Sequence, residues 1–381
     1  MIDHHSASVR TDRKRPSVIA LVQLPPPMHG AAAMNLRVVE SKLLNENFDI
    51  ETIPIQLSTS QVNIGSLSPG KLLRVAALSI RFALALWRRR PDIVYFTLPP
   101  TGGGFYACLP LVTLAKASGT RIVYHFHGKG IEAHAQRSGI YRRLMKWALK
   151  GSRVILLSPR LYDEVAPFAP REAVHFIPNG IPITAAPHHE GSTDDRPPQI
   201  LYLSNLVLTK GPLVLLEALA TLAARGANFR AVIAGAETSD LSAARLAEEI
   251  HIRGLERHVH YAGPVYGADK ERLLAQSDIF AFPTYYRNEA FPITLLEAMS
   301  TGLAIVTTPE GAIPDFIRDG VNGILVPQQD PAALADALQR LLETPPSRTA
   351  MGLINRDTVL RDFTLDRFEG RMREVLIETL L

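Results

Sequence analysis

The chain has a single cysteine, Cys108. One thiol excludes an internal disulfide and any cysteine-based metal cluster, and it fits a reducing compartment. An uninterrupted membrane-length apolar run is also missing. The most apolar stretch, residues 71–90 (KLLRVAALSIRFALALWRRR), is broken by Arg74 and Arg81, whereas a span needs about 20 apolar residues. Residues 1–15 lack the apolar segment of a signal peptide and read as a disordered tail. No G-x-G-x-x-G fingerprint follows the first strand, and no nucleic-acid-binding motif is present.

What remains is a globular composition, 46% apolar and 20% charged over 381 residues. That length suits two domains of about 150–200 residues. Charge divides the same way. Residues 1–190 carry 23 Lys and Arg against 12 Asp and Glu, and residues 191–381 carry 18 against 25. A basic half and an acidic half imply different partners, and an anionic surface suits the first. Short β-branched runs at 16–24, 48–55, 92–98, 121–127, 154–158 and 173–177 alternate with helical stretches. A second series, beginning at 200–204, continues through 230–235, 259–262, 279–283 and 304–308. The pattern predicts an α/β protein with two doubly wound parallel sheets. Residues 16–187 form the first domain, polar residues 188–199 a linker, 200–362 the second domain and 363–381 a last amphipathic helix.

Ligands of such sheets bind beyond the carboxyl ends of the strands. His29-Gly30, Gly102 to Gly104 and His127-Gly128 stand there in the first domain. Gly30 either eases a tight turn or lets a ligand approach backbone N–H groups, and the turn alone does not separate the two. His127 is either a structural histidine or a donor to a substrate hydroxyl or carbonyl. In the second domain Lys210 opens a helix beside Gly211-Pro212, where a cation and backbone donors can grip a diphosphate. The stretch 285–302 (YYRNEAFPITLLEAMSTG) places Glu289 just ahead of a helix at 293–300 and Glu297 about two turns inside it, with Pro292 at the first helical position. Arg74, Arg81 and Arg88 recur every seven residues, and residues 141–150 form a second basic helix with Trp147. Such stripes suit an anionic bilayer surface, or equally a covering helix with solvated arginines.

In this order the blocks PPPMHG, YHFHG, IPNGI, LSNLVLTKG, VIAGAE, NEAFPITLLEAMSTG, PEGAIPDFI and DGVNGILVP make the chain resemble a retaining glycosyltransferase of family 4, of the bacterial polysaccharide type. The resemblance implies the GT-B architecture, two Rossmann-like domains across a cleft, with the C-terminal helix returning to the first. It implies a nucleotide-sugar donor (UDP-sugar or GDP-mannose), a lipid-linked or oligosaccharide acceptor, and neither cofactor nor metal. By the same resemblance Glu289 faces the donor sugar and its diphosphate, and the N–H groups of Ala290 and Phe291 meet a sugar hydroxyl. Glu297 accepts the ribose hydroxyls with its two oxygens. Lys210 neutralises the leaving diphosphate, Gly30 approaches the phosphates or the transferred sugar, His127 bonds the sugar or the reacting face, and Val265 borders the base. The family often has an arginine where Ser204-Asn205 stands here. Asn205 donates without charge, so Lys210 acts alone or with another cation such as Arg287. No residue declares itself as a nucleophile for double displacement. The family's proposed alternative is same-face attack guided by the departing phosphate. These implications place the protein in the cytoplasm, peripheral on the inner membrane face. Competing readings are a nucleotide-sugar epimerase or a phosphorylase, the latter needing lysine-bound pyridoxal phosphate, and a non-catalytic anionic-surface binder.

Overall fold

The computed structural model describes residues 15–26, 29–55, 69–183 and 196–381. Residues 1–14 of the expected tail and most of the expected linker lie outside them. Two six-stranded sheets carry the architecture, and every strand pairing is parallel. The first contains β1 (Ser17–Val22), β2 (Asp49–Pro54), β3 (Ile93–Phe96), β4 (Arg121–His125), β5 (Arg153–Leu156) and β6 (Val174–Phe176), in the order β2-β1-β3-β4-β5-β6. The second contains β7 (Gln199–Leu203), β8 (Arg230–Ala234), β9 (Val259–Gly263), β10 (Ile279–Phe282), β11 (Ala304–Thr307) and β12 (Ile324–Leu325), in the order β12-β11-β10-β7-β8-β9. Ile93 to Phe96 and Ile279 to Phe282 are buried at every position. Continuous burial, rather than alternation, is what helices on both faces of a parallel sheet impose.

Around the first sheet lie α1 (Gly30–Glu40), α2 (Lys42–Asn47), α3 (Pro69–Arg89), α4 (Gly102–Ala117), α5 (Ile131–Arg137) and α6 (Gly139–Leu149). The second half adds α7 (Pro212–Ala224), α8 (Ala243–Ile252), α9 (Gly267–Gln276), α10 (Ile293–Ser300), α11 (Ile313–Phe316), α12 (Pro331–Glu343), α13 (Pro345–Asp362) and α14 (Leu365–Leu380). Helix α10 spans Ile293–Ser300 as the sequence suggests, with Pro292 as its extended N-cap rather than its first helical residue. Helix α13 has no counterpart in the sequence reading. A polar contact sits at the centre of its buried face, between Met351 and Val359: buried Asn355 donates to the Leu303 carbonyl at 2.8 Å and accepts from Asn322 at 3.0 Å. Hydrophobic periodicity cannot report such a contact.

Helix α14 returns to the first sheet. Phe368, Met372, Val375 and Leu376 share one face and are buried with Val18, Met34, Tyr95 and Val123. Ser41 donates to Glu369 at 2.6 Å and Arg153 to Glu378 at 2.9 Å. Gly180 makes the crossover possible, because a Cβ there would lie 2.6 Å from the Thr364 carbonyl oxygen. That close approach is the physical content of the IPNGI block.

Candidate active site

Strand order reverses between β1 and β3 in the first sheet and between β7 and β10 in the second. Crevices open beyond the carboxyl ends of strands at such reversals. Loops leaving β1, β3, β4, β7 and β10 all line one cleft of about 1670 Å³. His127, Gly30, Asn205, Lys210, Glu289 and Phe291 are on its wall.

On the second-sheet side, a short 3-10 turn, Leu208–Lys210, follows β7. Lys210 Nζ lies 3.3 Å from Glu289 Oε2 and under 6 Å from the rings of Phe282 and Tyr286. Glu289 is buried, and its N–H donates to the Tyr286 carbonyl at 2.7 Å. The neighbouring PEGAI segment clamps this loop. Ala312 N donates to the Ala290 carbonyl at 2.9 Å, and Gly311, at φ +56, sits so near that a Cβ would be 2.2 Å from the Glu289 carbonyl oxygen. Any side chain at 311 displaces the glutamate loop. The N–H groups of Ala290 and Phe291 have no hydrogen-bond acceptor among the described residues. Asn205 lines the cleft, and its Oδ1 accepts from Ala236 N in a long bond of 3.4 Å.

On the first-sheet side, His29 caps α1, its Nδ1 accepting from Ala32 N at 3.2 Å. A Cβ added at Gly30 would be in van der Waals contact, at 3.5 Å, with Ile293, the first residue of α10. Two helix N-termini therefore border one space, and both favour an anion there. At the end of β4, the His125 and His127 rings lie 4.0 Å apart between centroids. His125 Nδ1 is 2.7 Å from the Tyr95 hydroxyl. Both nitrogens of His127 are shielded from solvent without a hydrogen-bond partner. Burial, reinforced by His29, pushes the His127 pKa down to about 3. Burial and then His127 hold His125 well below its ordinary value. Both rings are neutral at pH 7, so His127 offers one N–H and one lone pair rather than charge. An unpaired buried polar group costs about 1–3 kcal/mol, which a ligand hydroxyl in the cleft would recover.

Four sequence-predicted residues are not on the cleft wall: Arg287, Val265, Ala290 and Glu297. Arg287 is exposed, Val265 packs against the edge of the core, and Ala290 is buried behind its neighbour Phe291. Glu297, about one turn inside α10, pairs with Lys270 of α9 at 2.6 Å. The cleft wall also includes a residue absent from the sequence reading. Lys129, two positions after His127, borders the cleft and forms an ion pair with Glu310 of the second half. Glu310 also accepts from Gln328 at 2.7 Å and from Gly311 N at 3.0 Å. Ser158 and Arg160 grip Asp315 in a second contact between the halves, and Asn179 donates to the Phe291 carbonyl at 3.3 Å. Lys129 and Glu310 are 181 positions apart, so no local spacing announces their pairing. Among the described residues, no group of three or more His, Cys, Asp or Glu is placed to hold a metal, and no helix is long and apolar enough to cross a membrane.

Residues 187–357 match the family model "Glycosyl transferases group 1", and residues 54–185 match "Glycosyltransferase Family 4". The chain belongs to glycosyltransferase family 4. Within the family, D-inositol 3-phosphate glycosyltransferase of Corynebacterium aurimucosum is 33% identical over 159 residues, 40% of this chain and 37% of the relative. The Corynebacterium kroppenstedtii protein of the same name is 30% identical over 198 residues, 51% of this chain and 43% of the relative. The chain thus spans about two fifths of the length of the curated relatives it matches. Solved structures agree over nearly the whole chain at the level of fold. Sucrose-phosphate synthase from Thermosynechococcus elongatus superposes with a TM-score of 0.76 at 17% identity, covering 96% of this chain and 99% of that one. HepE of Anabaena, in complex with UDP-glucose, gives 0.73 at 18% identity, covering 95% and 99%. The two facing sheets with a returning C-terminal helix are the family's GT-B architecture.

Proposed function

We propose that the chain is a retaining glycosyltransferase that moves a hexose-type sugar from a UDP-sugar or GDP-mannose to a lipid-linked or oligosaccharide acceptor in cell-surface polysaccharide biosynthesis. One observation carries the reading: the Lys210–Glu289 ion pair at the β7/β10 reversal faces neutral His127 and the α1 N-terminus across a single cleft. Family membership supports the reaction class, and the fold relative bound to UDP-glucose supports a nucleotide-sugar donor. A membrane partner for the basic first half belongs to the same reading.

In the reaction the bond between the sugar C1 and the diphosphate oxygen breaks, and a bond from C1 to an acceptor hydroxyl forms. Lys210 and the N–H groups at the start of α10 neutralise charge on the departing diphosphate, which lowers the barrier more than it strengthens ground-state binding. That electrostatic role makes a metal unnecessary. Glu289 fixes Lys210 and accepts from the sugar, while the N–H groups of Ala290 and Phe291 donate to it. His127, neutral at working pH, bonds a sugar hydroxyl from the opposite side. The acceptor proton leaves with the phosphate on the same face, giving retention.

A donor screen tests the proposal. Thermal unfolding with UDP, GDP and their sugars, followed by a hydrolysis assay, should show one nucleotide raising the midpoint and its sugar being released. No response to any nucleotide would sink the reading.

A further inference from the structure

Helix α3 has two apolar faces, and only one of them is used by the fold. Phe82, Ala85 and Leu86 are buried against the domain. On the other side Leu72, Leu73, Ile80, Leu84 and Trp87 are between 59% and 77% exposed. At 3.6 residues per turn these five fall within an arc of about 120°. A helix that merely covers a sheet turns polar residues outward. This one turns outward a contiguous apolar strip, the kind of surface that marks an interaction site.

Charge says what the strip meets. Arg74 and Arg81 border the arc, and the helix contains no acidic residue. Arg88 continues the row but is paired with Glu51, so the outer turns supply most of the free positive charge. Exposed Ile140 and Trp147 on α6 stand beside Arg142, Arg143 and Lys146. Helix α4 lies between, with exposed Tyr106 in edge contact with Tyr141 of α6. Apolar area flanked by arginine fits an anionic bilayer, where the side chains reach the acyl boundary and the guanidinium groups stay with the phosphates. The strip is also continuous with the cleft, because Leu72, Val75 and Tyr106 line it.

We propose that α3 is the membrane-docking element: it lies in the interface of an anionic bilayer and delivers a lipid-borne acceptor to the cleft past Leu72, Val75 and Tyr106. Acceptor delivery rests on the glycosyl-transfer reading; the docking stands without it.

The test is sedimentation of the full chain with phosphatidylcholine vesicles, with and without phosphatidylglycerol, at low and high salt. The protein should pellet with the anionic vesicles at low salt. The exposed-face variants Leu84→Asp and Trp87→Asp should keep the wild-type melting midpoint while partitioning falls at least about tenfold, as expected when an inserted apolar side chain becomes charged. Arg74→Glu with Arg81→Glu should remove the salt-sensitive part. In a Trp147→Phe background, Trp87 is the sole tryptophan, and its emission should shift to the blue on anionic vesicles. Absence of pelleting at low salt, or pelleting indifferent to the α3 variants, overturns the docking. So does a dimer in sedimentation velocity that the same variants dissolve, since the strip would then be covered by a second copy. Nucleotide response is measured on the same preparations. Vesicle binding without it keeps the docking and removes the transferase reading, and the converse result does the reverse.

Discussion

The two strand-order reversals that face each other across the cleft are built from opposite chemistry. At β7/β10 the groups are charged and interlocked: Lys210 holds Glu289, and Gly311 and Ala312 clamp the loop beneath. At β1/β3 and the adjoining end of β4 they are neutral and incompletely bonded, with His127 unpartnered and Tyr95, His125 and His29 around it. A charged, preorganised wall suits the part of a substrate that develops charge. A neutral wall with spare hydrogen-bonding capacity suits hydroxyls and tolerates different acceptors. The contrast fits a wall of Lys210 and Glu289 that comes from one recognisable motif and a facing wall that does not.

The sharpest way to break this contrast is to remove the charge. Lys210→Ala should lower kcat about 10²–10³-fold, the usual cost of losing one preorganised electrostatic group, with a smaller change in donor KM. Arg287→Ala should leave steady-state rates near wild type, because Arg287 is exposed and off the cleft wall. If Arg287→Ala is as damaging as Lys210→Ala, the cation assignment is wrong.

Next come the two glutamates. Glu289→Gln should act chiefly on turnover. If Glu297 leaves Lys270 to accept the ribose hydroxyls, as the resemblance implies, Glu297→Ala should raise the donor dissociation constant about tenfold, in line with about 1.5 kcal/mol for a charged hydrogen bond, whereas unchanged donor binding fits its pairing with Lys270 off the cleft wall. Calorimetric donor binding and initial rates on both variants separate the roles, and equal effects on both parameters would erase the distinction.

The neutral wall is tested by pH. His127 titrates near 6.5 when unfolded and at about 3 when folded. Between those values the unfolded chain binds a proton that the native chain refuses, so stability falls as pH drops through the window and is unaffected above it. The slope is about 1.4 kcal/mol per pH unit for each such histidine. Denaturant midpoints between about pH 7.5 and 5 should fall less steeply in His127→Asn than in the wild type. A parallel decline would mean that His127 is not held neutral by burial.

The smallest effect concerns the contacts joining the walls. Glu310→Gln removes the charge partner of Lys129 but keeps a hydrogen-bonding shape, and should cost about 1 kcal/mol or less of stability while raising KM for the acceptor more than for the donor. Paired melts and acceptor titrations would show whether this bridge sets the cleft width.

Much of the fold was legible because its causes are local. Runs such as residues 93–96 and 279–282 are apolar throughout, and only a sheet covered on both faces needs that pattern. Helix α13 was not legible, since the centre of its buried face is Asn355 bonding two distant loops. In the site, Glu289 and Lys210 could be named because glutamate ahead of a helix and lysine beside Gly-Pro are recognisable at short range. Lys129 could not, because its partner Glu310 arrives from the other domain.

What the sequence by itself determined is the alternation of strands and helices, the charge asymmetry of the halves and the residue types at the strand ends, all of which follow from periodicity and local backbone chemistry. Only the tertiary structure decided that His127 loses its charge, that Glu297 is held by Lys270 away from the cleft wall, and that one apolar face of α3 stays in solvent. Each of these depends on desolvation or contact between segments far apart in the chain, and burial is a property of the packed molecule rather than of any residue within it.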